Sequence, residues 1–110
     1  MTGKSPEELV EIGIAYGEEG EYAKAIECFE KAVELDDDNI DAHYNMGVIF
    51  GKLYLEDIVM DEFGEDLSEE DALLARAELE YNKVLALAPD YEEAKNNLEL
   101  LQDAADKKIE

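Results

Sequence analysis

His43 is the only histidine and Cys28 the only cysteine in this 110-residue chain. General acid–base or nucleophilic chemistry near neutral pH would therefore run through one of these two or through a carboxylate. The neighbours of His43 are Tyr44, Met46 and Gly47, which read as packing positions on a helix. A packed or half-buried ring is the expectation, not a base. Cys28 adjoins Phe29 and lies between Ile26 and Ala32. No cation stands beside it, and Lys24 and Lys31 are one turn away, so a small packed thiol is expected rather than an activated one. No Ser-His-Asp set can be nominated, and carboxylates are so numerous that no single pair stands out. The spacing "GIAYGEEG" departs from a phosphate-cradling loop and lacks its lysine. Catalysis is not expected.

The acid-rich stretches raise a metal question. A calcium loop alternates oxygen ligands, places glycine sixth and closes on a glutamate. "DEFGEDLSEED" puts Phe63 at a ligand place and Gly64 two places early. "DDDNIDAHYNMG" puts Ile40 at a ligand place and has no glycine sixth. Neither fits, so no metal or other cofactor is expected.

Charge narrows the partners. Thirty-one acidic residues against nine basic ones give a net charge of −22. Such a surface repels nucleic acid and anionic membranes and attracts basic partners. No apolar run reaches the about 18 residues of a membrane span. The opening "MTGKSPEELVEIG" lacks the apolar centre of a signal peptide, and one cysteine permits no internal disulfide. A cytoplasmic protein is the expectation.

The elements that would position these residues are helices. Two prolines and 46% apolar residues, rich in Ala and Leu, favour an all-α fold. Ser5-Pro6 is a helix start, followed by Leu9, Ile12, Gly13 and Tyr16 at helical spacing. A turn is expected across "GEEGEY", broken at Gly17 and Gly20. Ala25, Ile26, Phe29, Ala32 and Val33 form the stripe of a second helix, which "DDDN" stops. The pattern then repeats. Gly13 recurs as Gly47, 34 residues on, whereas Phe29 recurs as Tyr81, 52 residues on; the difference is an 18-residue insertion within the second unit. "DDNIDAHYNMGVI" is matched again by "PDYEEAKNNLELL", pairing Ala42 with Ala94 and Asn45 with Asn97.

Gly13, Tyr16, Ala25, Phe29 and Ala32 in the first unit, and Gly47, Phe50, Ala77, Tyr81, Val84 and Pro89 in the second, resemble the tetratricopeptide repeat. Small residues at Gly13, Ala25 and Ala32 let paired helices approach, and Tyr16 and Phe29 fill the space between them. The chain departs from the family at Leu9 and His43, where Trp is frequent, and at Asp37, where Pro is frequent. The resemblance implies one domain over 1–110, an α-α superhelix of antiparallel helix pairs. Repeat 1 spans 6–39, repeat 2 spans 40–90, and a capping helix spans 91–107.

The insertion is not polar throughout. "GKLYLEDIVMDEF" and "ALLARAELEYNKVLALA" are each apolar on one helical face, the second at Leu74, Ala77, Tyr81, Val84 and Ala88. "FGEDLS" then reads as a turn, ended by Gly64 and followed by a near capping box at Ser68 and Asp71. Each helix would grow by roughly nine residues, about 13 Å. The second pair becomes an elongated hairpin over 52–76 whose tip carries Val59, Met60, Phe63 and Leu67. These residues pack across the hairpin or meet a partner or a second copy.

The resemblance also implies an inner groove lined by the first helix of each pair: Val10, Ile14, Asp41, Tyr44, Asn45, Val48, Asn96 and Asn97, with Glu7 and Glu93 on the rim. Asn45 and Asn97 either clamp a peptide backbone or bond within the stack. Some family members grip acidic chaperone tails with a clamp of Lys, Arg and Asn. Here Val10 and Ile14 hold the first-unit clamp places and Glu93 and Asn97 the third-helix ones, with only Asn45 remaining, so acidic tails are not expected to bind. The expected function is a non-catalytic interaction module for a protein or peptide of basic character. The alternative is a homo-oligomer, built through the long hairpin or by stacking of repeat ends.

Overall fold

A computed structural model describes residues 3–56 and 70–109. Among the described residues there are five helices and no strand. They are α1 (Pro6–Glu18), α2 (Tyr22–Leu35), α3 (Ile40–Leu55), α4 (Glu70–Leu87) and α5 (Glu92–Ile109). The fold is an all-α helical repeat. α1 packs along α2 and α3 along α4; α2 then meets α3, and α4 meets α5. The first helices of successive units, α1, α3 and α5, lie side by side.

Local chemistry sets the helix ends. Ser5 and Glu8 form a reciprocal capping box: Glu8 N–H donates to Ser5 Oγ at 3.1 Å, and Ser5 N–H donates to Glu8 Oε1 at 2.9 Å. The exchange satisfies two donors that a helix start otherwise leaves unpaired, and Pro6 follows where its missing N–H costs nothing. Asn39 caps α3, its side chain accepting from Ala42 N–H at 2.9 Å.

The break after α1 is narrower than expected. Gly17 is helical, and a Cβ added to it would meet Ile49 Cδ1 at 3.5 Å, an ordinary contact. Only Gly20 turns the chain, at φ 81°, where a side chain would be strained.

The core repeats one contact. A Cβ on Gly13 would lie 2.6 Å from Phe29 Cε1, and one on Gly47 would lie 2.8 Å from Tyr81 Cε1. In each unit a bare backbone on the first helix receives an aromatic ring from the second. Phe29, Phe50 and Tyr81 are almost fully buried, as are Ile26, Leu53, Val84 and Leu101. Each such side chain contributes about 1.5–3 kcal/mol by leaving water.

Two expectations meet the described helices at their ends. α3 closes at Leu55, with Glu56 as its C-cap. Glu56 puts a carboxylate where the helix dipole is already negative. α3 and α4 have 16 and 18 residues, against 13 and 14 for α1 and α2, so the described lengthening is a few residues per helix. The buried stripe of α4 also begins at Leu73, 3% exposed, with Leu74 only half-buried beside it. Within the expected hairpin over 52–76, Val59, Met60, Phe63, Leu67 and the Ser68 cap lie outside the described residues.

Candidate functional site

Two concavities open on the side of the stack formed by α1, α3 and α5. One, of about 240 Å³, lies between α1 and α3, with Ile14, Gly17, Asn45, Val48 and Lys52 in its walls. The other, of about 210 Å³, lies between α3 and α5, with Val48, Lys52, Leu55, Asn97 and Leu100. Val48 and Lys52 belong to both, so the two form one groove across α3. Three large apolar side chains remain open to solvent along it: Ile14 (38% exposed), Leu55 (45%) and Leu100 (56%). Lys52 pairs with Glu56 at 3.3 Å. Its pKa is raised, first by the hydrogen bond to Glu56 and then by that carboxylate's charge.

The residues assigned to the groove from sequence take different places. Ile14, Val48 and Asn45 line it. Val10 is buried in the core and lines neither concavity. Asp41 and Asn96 are exposed. Asn45 Nδ2 donates to the Asp41 carbonyl at 2.7 Å, one turn back along α3. Asn97 Nδ2 donates to the hydroxyls of Tyr44 at 3.2 Å and Tyr81 at 3.3 Å. That amide therefore ties α5 to both α3 and α4, and its two protons are engaged within the stack. Tyr44 packs at a tilt between Tyr81 and Tyr91, with ring centroids 6.0 and 5.0 Å away. Burial pushes the Tyr81 hydroxyl up to about 12, partly offset by the hydrogen bond from Asn97.

The one histidine is a structural latch on the other side of α3. His43 and Glu80 are both buried, and Nδ1 lies 2.7 Å from Glu80 Oε1. Nε2 lies 2.7 Å from the Asp37 carbonyl. A carbonyl only accepts, so Nε2 donates there, and a further proton lies between Nδ1 and the carboxylate. Arg76 adds a second bond to Glu80 at 3.4 Å and reaches Glu30 at 3.7 Å, with its guanidinium 4.6 Å above the Phe50 ring. Sequence reasoning missed Glu80, one acid among 31. The only available signal was its place three residues after Ala77 and one before Tyr81, both on the buried face.

Cys28 is half-buried, and its thiol pKa is raised, first by burial and then by Glu27. The thiolate is disfavoured there, which is the opposite of activation. Among the described residues, no three metal-ligating side chains gather, and no helix is long and apolar enough to cross a membrane.

Residues 13–53 match the sequence model of a family described as TPR repeat. That span runs from Gly13, through α2, to Leu53 on α3, and so includes both Gly13–Phe29 and the middle of the groove. No curated protein matches the chain.

Proposed function

We propose that this chain, whose residues 13–53 match the TPR repeat family model, is a non-catalytic interaction module that seats a peptide segment of a partner in the groove across α1, α3 and α5. Repeats of this family generally mediate contacts between proteins. The observation that carries the reading is the continuity of the two concavities through Val48 and Lys52, with Ile14, Leu55 and Leu100 left open along it. An apolar floor supplies affinity by burial, and a polar rim sets orientation. The charge of −22 favours a partner of basic character. A single cysteine, free of any internal disulfide, suits a cytoplasmic setting.

Selection from a library of random displayed peptides tests this. The reading expects recovered peptides with apolar anchors flanked by Lys or Arg. Their affinity should fall at least about tenfold, a change of about 1.4 kcal/mol, in Ile14→Asp and in Leu100→Asp. Recovery of acidic peptides, or affinity indifferent to both substitutions, refutes it. The alternative, self-association through Val59, Met60, Phe63 and Leu67, concerns residues outside those described.

A further inference from the structure

The second unit meets the first through one face. His43 and Met46 on α3, with Arg76 and Glu80 on α4, border a concavity of about 370 Å³ that α2 walls with Glu30, Val33 and Glu34. Arg76 reaches Glu30 at 3.7 Å, and Lys83 reaches Asp37, just past α2, at 3.7 Å. The Arg76 guanidinium lies over Phe50, and both Met46 and Phe50 are buried there.

The 34- and 52-residue offsets of the repeat carry this face onto the first unit. His43 and Met46 become Leu9 and Ile12; Arg76, Glu80 and Lys83 become Lys24, Cys28 and Lys31. All of these counterparts line a separate concavity of about 490 Å³, with Lys4 and Glu27 exposed on its rim. Tyr16 stands for Phe50, and Lys24 Nζ lies 5.7 Å from its ring centroid. The likeness ends at the cover, since Ile12, Tyr16 and Cys28 are only half-buried. Lys24 and Lys31 pair along their own helix instead, with Glu21 at 3.8 Å and Glu27 at 3.3 Å. Such exposed pairs are weak, and an ammonium has three donors, so each can take a second carboxylate. Three of the nine basic residues thus gather around one concavity of a chain with net charge −22.

We propose that this face docks an acidic amphipathic helix of a partner protein, seated as α2 is seated on the second unit. The occupant presents an apolar residue at the place of Val33. It offers carboxylates at the places of Glu30 and Asp37, seven residues apart, to Lys24 and Lys31. Seven residues are about two turns, so both carboxylates share one side of the helix. The floor is more apolar than its counterpart, because Leu9 and Cys28 replace the His43–Glu80 pair. Burial therefore supplies affinity, and the lysines fix the register. Burial and then Glu27 raise the Cys28 thiol pKa, while Lys31 and Lys4 pull it down, so the cations act on the floor as well as the rim. At 0.15 M salt the screening length is about 8 Å, and these lysines outweigh remoter carboxylates. The face lies on another side of α1 from Ile14 and is independent of the groove.

The probe is a helix-stapled peptide copying residues 22–38, with Cys28→Ser so that the protein keeps the only thiol. Anisotropy of the labelled peptide gives affinity, and the rate of Cys28 modification by a neutral thiol reagent gives location. The expected result is saturable binding that slows Cys28 modification. Glu30→Gln with Asp37→Asn in the peptide, or Lys24→Gln with Lys31→Gln in the protein, should each weaken binding about fivefold or more. Ile14→Asp in the protein should leave it unchanged. Absence of binding, indifference to the charge changes, or unchanged Cys28 reactivity overturns the proposal. A loss in Ile14→Asp seats the peptide in the groove and also overturns it. So does sedimentation in which the chain alone pairs and Lys24→Gln with Lys31→Gln abolishes the pairing, since the occupant is then a second copy.

Discussion

His43 Nδ1 and Glu80 Oε1 are 2.7 Å apart, although 37 residues separate them in sequence, and both side chains are buried between α3 and α4. Neither is placed to act on a ligand in the groove. Removing one partner alone strands the other without its charge-assisted bond. Glu80→Ala is expected to lower stability by about 3 kcal/mol, read from urea unfolding. Replacing both with leucine should cost less than the sum of the two single changes to alanine, because neither member of the pair is left stranded by the other, although Arg76 and the Asp37 carbonyl still lose a bond. Two small single effects that simply add would show that the pair is not coupled.

The glycines of the helix pairs should respond oppositely to the same substitution. Gly47→Ala places a Cβ 2.8 Å from the Tyr81 ring, and Gly13→Ala places one 2.6 Å from the Phe29 ring. Each is expected to cost about 1–3 kcal/mol, as overpacking does. Gly17→Ala meets only Ile49 Cδ1 at an ordinary 3.5 Å. It should stabilise by about 0.5–1 kcal/mol through reduced freedom of the unfolded chain. Thermal unfolding of the three variants checks the signs.

Tyr81 predicts a loss of stability in alkali. Its folded pKa of about 12 lies above the ordinary 10.0. Above pH 10 the unfolded chain releases this proton while the folded chain keeps it. Stability from this group is therefore fully present below pH 10 and declines as pH rises from 10 to 12. The loss should be no more than about 2 kcal/mol once residual solvent screening is allowed for. Urea unfolding across that range should show a shallower decline in Tyr81→Phe than in the native chain. Ultraviolet titration should find one of the six tyrosines ionising after the rest.

A net charge of −22 makes the compact state repel itself. Raising the salt concentration from about 0.01 M to 0.15 M shortens the screening length from about 30 to 8 Å. The midpoint of thermal unfolding should rise over that range. A fall would mean that the exposed pairs Lys24–Glu21, Lys31–Glu27 and Lys95–Glu92 outweigh the repulsion, which their surface setting argues against.

Sequence alone determined the features that depend on near neighbours. Ser5, Pro6 and Glu8 are a helix start because three nearby side chains suit the first backbone donors. The spacing of Gly13, Ala25 and Phe29, repeated as Gly47, Ala77 and Tyr81, carries the pairing of helices, because a 3.6-residue period puts such residues on one face. The groove was legible as a set of first-helix positions, of which Ile14, Asn45 and Val48 line it.

The tertiary structure decided what depends on the meeting of distant residues. It chose Glu80, out of 31 acids, as the one opposite His43. It turned the Asn97 amide toward Tyr44 and Tyr81. It brought Tyr91 from the α4–α5 turn against Tyr44 on α3. Helical periodicity says which face a residue occupies; only the packing of one helix on another sets the residue it faces, because a shift of one turn exchanges every partner and leaves the periodicity unchanged.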